Sequence, residues 1–135
     1  MTSTVVYEGH LRTTCTHLQS SSSIETDAPV DNNGKGERFS PTDLLATSLG
    51  TCMLTVMGIK ARTLGLELNG IRVDVEKIMK AEPRRVGGIN LTFHIPENLR
   101  GLEEKEKTIL KNTAHTCPVQ HSIHPDIEVS VSWNW

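Results

Sequence analysis

Ser40-Pro41-Thr42-Asp43-Leu44-Leu45-Ala46-Thr47-Ser48-Leu49-Gly50-Thr51-Cys52 is the stretch that decides the fold. Ser40 is a good N-cap, Pro41 suits the first helical position, and Asp43 puts a carboxylate in the first turn. The pattern predicts a helix running to Leu64, with Gly65 as its C′ stop. Leu45, Leu49, Cys52, Val56 and Ile59 recur at 3- and 4-residue spacing, so the expected buried stripe carries Cys52. The other faces hold little charge before Lys60 and Arg62, which predicts a central, buried helix.

Strand patterns flank this helix. Residues Val5 to about Leu18 alternate, with Val6, Glu8, His10, Arg12, Thr14 and Thr16 on one side. A turn over Ser20 to Ser23 and a strand over Ile24 to Ala28 follow, then a polar, Gly-rich loop from Asp31 to Glu37. Beyond Gly65, Ile71 to Met79 and Ile89 to Ile95 alternate as strands. Leu102 to about Ala114 reads as an amphipathic helix, Pro118 as the start of a short helical turn, and Ile127 to Trp133 as a last strand. Helices and strands mix irregularly, which predicts an α+β fold with a largely antiparallel sheet. Neither a repeat nor a second domain is visible, so residues 1–135 are expected to form one domain.

Charge and composition exclude several classes. Lys plus Arg number 14 and Asp plus Glu 16, a net charge of −2 that gives no electrostatic case for nucleic acid or an anionic membrane. The Met1-Thr2-Ser3-Thr4 start shows no basic then apolar leader, and no apolar run approaches a bilayer span. The expectation is a soluble, cytoplasmic protein. Three cysteines, an odd number, do not suggest a secreted disulfide framework.

Two of those thiols have organised surroundings. Cys52 lies about three turns inside its helix, where the dipole no longer acts, so a low pKa there needs a cation from tertiary structure. A free cysteine on an apolar stripe is commonly core. Cys117, in His115-Thr116-Cys117-Pro118-Val119, occupies an expected N-cap, where amide N–H groups favour a thiolate. Local physics therefore makes Cys117 the more easily ionised thiol. Cys15, among threonines, reads as structural. His115, Cys117, His121 and His124 crowd ten residues, but no standard zinc spacing is matched, and neither metal nor cofactor is expected.

Phe39-Ser40-Pro41-Thr42-Asp43-Leu44-Leu45-Ala46, Leu49-Gly50-Thr51-Cys52 and Cys117-Pro118-Val119 together resemble the OsmC/Ohr family of organic hydroperoxide reductases. Glu25-Thr26-Asp27-Ala28-Pro29 and Gly34-Lys35-Gly36-Glu37 further resemble an OsmC-like subgroup often called redox proteins. The resemblance implies an OsmC-like fold, with antiparallel sheets wrapped around two central helices in an intertwined homodimer. It implies a thiol peroxidase acting on organic hydroperoxides, with Cys52 the peroxidatic and Cys117 the resolving cysteine, restored by a dithiol or a lipoylated protein. In the family's peroxidases a glutamate follows the proline and pairs with an arginine that supports the thiolate. Here Thr42 holds that position, and Asp43 lies one residue on. Arg12 and Arg38 are both candidates for the arginine, and His17 and His115 for other polar support. The departure keeps open an alternative, a non-peroxidatic member of the fold that binds a small apolar molecule or senses redox state.

Overall fold

The computed structural model describes residues 1–135. Its contacts divide the chain into two compact units, Met1–Leu45 and Ala46–Trp135.

The first unit is built on a three-stranded antiparallel sheet. β1 (Ser3–Gly9), β2 (Arg12–His17) and β3 (Ser23–Asp27) stand in chain order. The single strand expected over Val5 to Leu18 is in fact a hairpin. Gly9, His10 and Leu11 all take positive φ, at 87°, 53° and 63°. Positive φ at both central residues is the signature of the tight turn that matches strand twist. Gly9 was the only sequence signal for it, because Leu rarely adopts that backbone. The pairing Val5↔Cys15↔Ile24 fixes which side chains share a face. Val5, Tyr7, Cys15 and Ile24 lie on one side, and Val6, Glu8, Arg12, Thr14, Thr16, Glu25 and Asp27 on the other. This unit buries no apolar side chain; only Thr26, Asp27 and Ser40 are buried in it.

α1 spans Pro41–Thr63. Its start is a reciprocal cap: Asp43 N–H donates to Ser40 Oγ at 3.0 Å, and Ser40 N–H donates to the Asp43 carboxylate at 2.9 Å. Its end is a Schellman turn, with Leu66 N–H on Ala61 O at 2.9 Å, Gly65 N–H on Arg62 O at 3.2 Å, and Gly65 at φ 69°.

In the second unit a three-stranded sheet carries the core. β4 (Arg72–Lys80) pairs antiparallel with β5 (Arg85–His94), and β5 pairs with β6 (Glu128–Asn134) in parallel. The sheet is thus mixed rather than wholly antiparallel. A parallel neighbour needs a long crossover, which α2 (Glu104–Ala114) and the short α3 (Pro118–Ser122) supply. Ile89, Leu91 and Phe93 of β5 are fully buried with Leu110 of α2 and Leu49, Met53 and Met57 of α1. Trp133 stacks on Phe93 with ring centroids 4.2 Å apart and anchors β6 to the sheet.

The buried stripe of α1 is Ala46, Leu49, Gly50, Met53, Met57 and Ala61, not the stripe expected from spacing. Of the expected set only Leu49 is buried; Cys52 and Val56 are half-buried, and Leu45 and Ile59 are exposed. Small residues decide this. A Cβ at Gly50 would stand 3.2 Å from Val75 Cγ2, with Leu91 and Val73 at 3.7 Å, so glycine lets the helix lie close on β4 and β5. α1 therefore carries a second apolar side that its own unit leaves partly open. By length and composition it could cross a membrane, a test that the core helix of a soluble protein also passes.

Candidate functional site

Cys117 sits where its sequence context places it, at the N-cap of α3 with φ −67° and ψ 138°. Pro118 at the first helical position and the extended Cys117 backbone turn the chain out of α2. Gln120 N–H donates to Cys117 Sγ at 3.3 Å, and the Val119 amide also favours a thiolate there. The expectation of an easily ionised thiol is nevertheless reversed. The sulfur is fully buried, and that burial pushes the Cys117 pKa up against both amides. The neighbouring Cys52 side chain pushes it further the same way.

This influence makes neighbours of the two thiols the sequence singled out. Cys52 comes from the middle of α1, half-buried, one residue before fully buried Met53. Cys117 comes from the turn between α2 and α3. Both are free thiols. The pair is asymmetric: Cys52 is partly exposed and Cys117 is fully buried.

Next to Cys117, His115 is exposed at the C-cap of α2, and its Nδ1 lies 3.3 Å from the Gln120 side-chain oxygen. Sequence reasoning missed Gln120, whose backbone serves the sulfur and whose side chain meets His115. Its position three residues after an N-cap was the available signal. His121 and His124 are exposed, and no group of three His, Cys, Asp or Glu is gathered as a metal cage.

The other expected residues lie in Met1–Leu45 and are engaged there. Arg12 on β2 grips Asp27 on β3 with two parallel hydrogen bonds of 2.8 Å, and its Nη2 also meets Glu37 at 3.0 Å. Asp27 is 1% exposed, and Arg12 holds its carboxyl below the ordinary carboxylate range. The Glu37 amide adds a hydrogen bond to Asp27 at 3.2 Å. Arg38 pairs with Glu25 at 2.8 Å on the surface. Thr42 Oγ1 lies 3.2 Å from Ser40 Oγ, and Asp43 closes the helix cap. His17 Nδ1 meets Ser20 Oγ at 2.7 Å. Asp27 and Glu37 are the functional-looking carboxylates that pattern reading passed over. They were visible only as parts of Glu25-Thr26-Asp27-Ala28-Pro29 and Gly34-Lys35-Gly36-Glu37, with nothing local to tie them to Arg12.

An α+β chain with two sheets and a neighbouring pair of free thiols defines a class of small dithiol proteins. Residues 34–132 match the family model described as OsmC-like protein, and the chain belongs to that family. It is 52% identical to a candidate osmotic stress induced and detoxification response protein from Psychrobacter arcticus 273-4, covering 99% of this chain and 96% of that one, with a TM-score of 0.94. The fold is shared with an organic hydroperoxide resistance protein OsmC from Legionella pneumophila, at 21% identity, coverage of 100% and 98%, and TM-score 0.76. It is shared as well with the organic hydroperoxide resistance protein OhrB of Bacillus subtilis, at 15% identity, coverage of 99% and 98%, and TM-score 0.67. No curated protein matches the chain.

Proposed function

We propose that this chain is a cytoplasmic thiol peroxidase that reduces organic hydroperoxides through Cys52 and Cys117. The observation that carries the reading is that a half-buried Cys52 neighbours a fully buried Cys117 closely enough to push its pKa up. A peroxide can approach only the accessible sulfur. The sealed one can serve only by closing a disulfide with its neighbour. Cys52 attacks the O–O bond, giving an alcohol and a sulfenic acid, and Cys117 condenses with that sulfenic acid to a disulfide and water. A small dithiol or a lipoylated protein returns both thiols. Membership of the OsmC-like family, with hydroperoxide resistance proteins among the structures of like fold, agrees with this chemistry.

The working form in this proposal is a homodimer in which residues 1–135 act as one OsmC-like domain. Val5 and Tyr7 are each 64% exposed and Ile24 52%, all on one face of a sheet whose unit buries no apolar side chain. A three-stranded sheet needs such a face covered to be stable. A second copy supplies the cover, and the open apolar side of α1 gives it a further surface.

The alternative, a non-peroxidatic binder or redox sensor of the same fold, draws on one specific observation. Arg12 is engaged by Asp27 and Glu37, and Asp43 is spent on the helix cap, with Thr42 where the family's peroxidases carry glutamate. One experiment separates the two. Reduced protein is mixed with excess cumene hydroperoxide, and thiol loss is followed for wild type and Cys52→Ser. Rapid loss of two thiols in wild type alone is expected. Equal, slow consumption by both would leave the binder or sensor.

A further inference from the structure

Gly58 weakens the helix it sits in, and nothing within the chain explains its presence. Inside a helix, glycine is less stable than alanine because its unfolded backbone has more freedom to lose. Gly50 has a reason on the buried side of α1, where a Cβ would crowd Val75. A Cβ at Gly58 would meet nothing within 4 Å. Gly58 lines a cavity of about 420 Å³, a size usual for small-molecule sites. The cavity lies wholly within the second unit, between the C-terminal half of α1 and the segment that leads to β4. Cys52 is not among its lining residues.

The lining divides by chemistry. Leu54 and Ile59 of α1, with Leu66 and Leu68 of the following segment, make it apolar. Two charges of opposite sign, Arg62 and Glu67, line it as well. The Schellman bond from Leu66 N–H to Ala61 O, 2.9 Å long, folds the chain back here. Arg62 and Glu67 each stand one residue beyond a member of that bond, so they share one turn. Neither side chain has an ion-pair partner within the chain.

We propose that this cavity binds a small zwitterion with an apolar body, the chemistry of an apolar α-amino acid. The ligand carboxylate takes the guanidinium of Arg62, whose paired N–H donors match its two oxygens. The ligand ammonium takes Glu67. The apolar side chain lies over Gly58, where the missing Cβ lets it approach the helix backbone. A simple anion would be repelled by Glu67, and a simple cation by Arg62; a ligand with both charges answers both. No thiol takes part, so failure of this site and failure of the peroxidase reading are separate results.

The test is calorimetric titration of the full chain with three probes of one shape. These are L-leucine, isocaproate, which lacks the ammonium, and isoamylamine, which lacks the carboxylate. Leucine is expected to bind about 10-fold more tightly than either, the usual reach of one charge-assisted hydrogen bond. Arg62→Gln should lower leucine to the level of isoamylamine, and Glu67→Gln should lower it to the level of isocaproate. Both changes are on the surface and leave the fold intact. Gly58→Ala should raise the melting temperature while weakening leucine, because the chain itself has no use for the glycine. Equal affinity for the three probes, or no binding of leucine at millimolar concentration, overturns the proposal. So does a Gly58→Leu chain that turns from dimer to monomer in sedimentation while wild type binds no probe, which would make a second copy the occupant.

Discussion

Closing the Cys52–Cys117 disulfide should raise the stability of the folded chain by a calculable amount. The bond would tie residues about 65 positions apart. Loop-closure entropy then lowers the freedom of the unfolded chain by about 4 kcal/mol at 25 °C. If the native state accommodates the bond without strain, it returns little of this, since Cys52 lies near Cys117. The main loss is at the α3 cap, where a disulfide sulfur accepts the Gln120 N–H less well than a thiol, a cost of about 1 kcal/mol. The net gain is about 3 kcal/mol, or roughly 10 °C in melting temperature for a chain of this size. The assay is a thermal melt of reduced and peroxide-treated protein at one fixed concentration, because dimerisation would also move the midpoint. Loss of two hydrogens by mass spectrometry verifies the bond, and Cys52→Ser supplies a control that oxidant should not shift. An oxidised form melting at or below the reduced one would show that the native positions do not accommodate the bond. The placement of the two sulfurs argued above would then be wrong.

Other outcomes follow from single features. Alkylation of the native reduced protein by iodoacetamide should modify Cys52 well before Cys117, because only Cys52 is within reach of solvent; equal labelling by peptide mass spectrometry would contradict the burial of Cys117. Phe93→Ala should cost about 4 kcal/mol in urea unfolding, since a fully buried ring stacked on Trp133 is removed, whereas a loss under about 1 kcal/mol would mean that the stack does not hold β6. Asp27 has a folded pKa below its unfolded one, so its stabilising share is present above the ordinary carboxylate range and is lost as pH falls through the depressed value. Asp27→Asn should therefore flatten the acid limb of urea midpoint against pH, and an unaltered limb would remove Arg12–Asp27 from the account. Val5→Lys with Tyr7→Lys should turn a dimer into a monomer in sedimentation, if the apolar sheet face is where the copies meet.

Legibility in the sequence tracked how local each cause was. The α1 start and stop were readable because Ser40, Pro41, Asp43 and Gly65 act within a few residues of themselves, and the structure uses each as read. The face that α1 buries was not readable, because periodicity finds two apolar stripes and cannot rank them. The tertiary neighbours Val73, Val75 and Leu91 choose the one with Gly50 on it. The hairpin at His10 and Leu11 hid for a related reason: alternation continues through it, and the turn rests on backbone angles that Leu does not advertise. The parallel direction of β6 depends on the route of α2 and α3, which no strand pattern contains. For the candidate site, Cys52 and Cys117 are the residues their motifs single out. The Arg12–Asp27–Glu37 group was not legible, because its members come from two strands and a loop.

On the proposed peroxidase reading, the same distinction between local and tertiary causes bears on how the thiols would divide their labour. Judged by its own turn, Cys117 has everything that favours a thiolate, including two amides at a helix start. Judged by its surroundings it is closed off from water, and desolvation of a charged sulfur outweighs two neutral donors. Cys52 has no helper in its own helix turn, yet of the two it is the partly exposed one. Were both sulfurs exposed, either could attack, and oxidation of one would often outrun its capture by the other. Were both buried, neither would meet substrate. In the proposed cycle, one partly exposed and one buried cysteine would set the sequence of events through access. This is a more robust device than a pKa difference, because it does not change with pH or salt. It also predicts which change is most damaging. A substitution that opens α3, such as Pro118→Gly, should expose Cys117 and let peroxide oxidise it directly. The expected signs are sulfinic acid on Cys117 and loss of the intramolecular disulfide by mass spectrometry, with Cys52 still reactive. A Pro118→Gly chain that forms the disulfide as fast and as cleanly as wild type would show that access is not what assigns the roles.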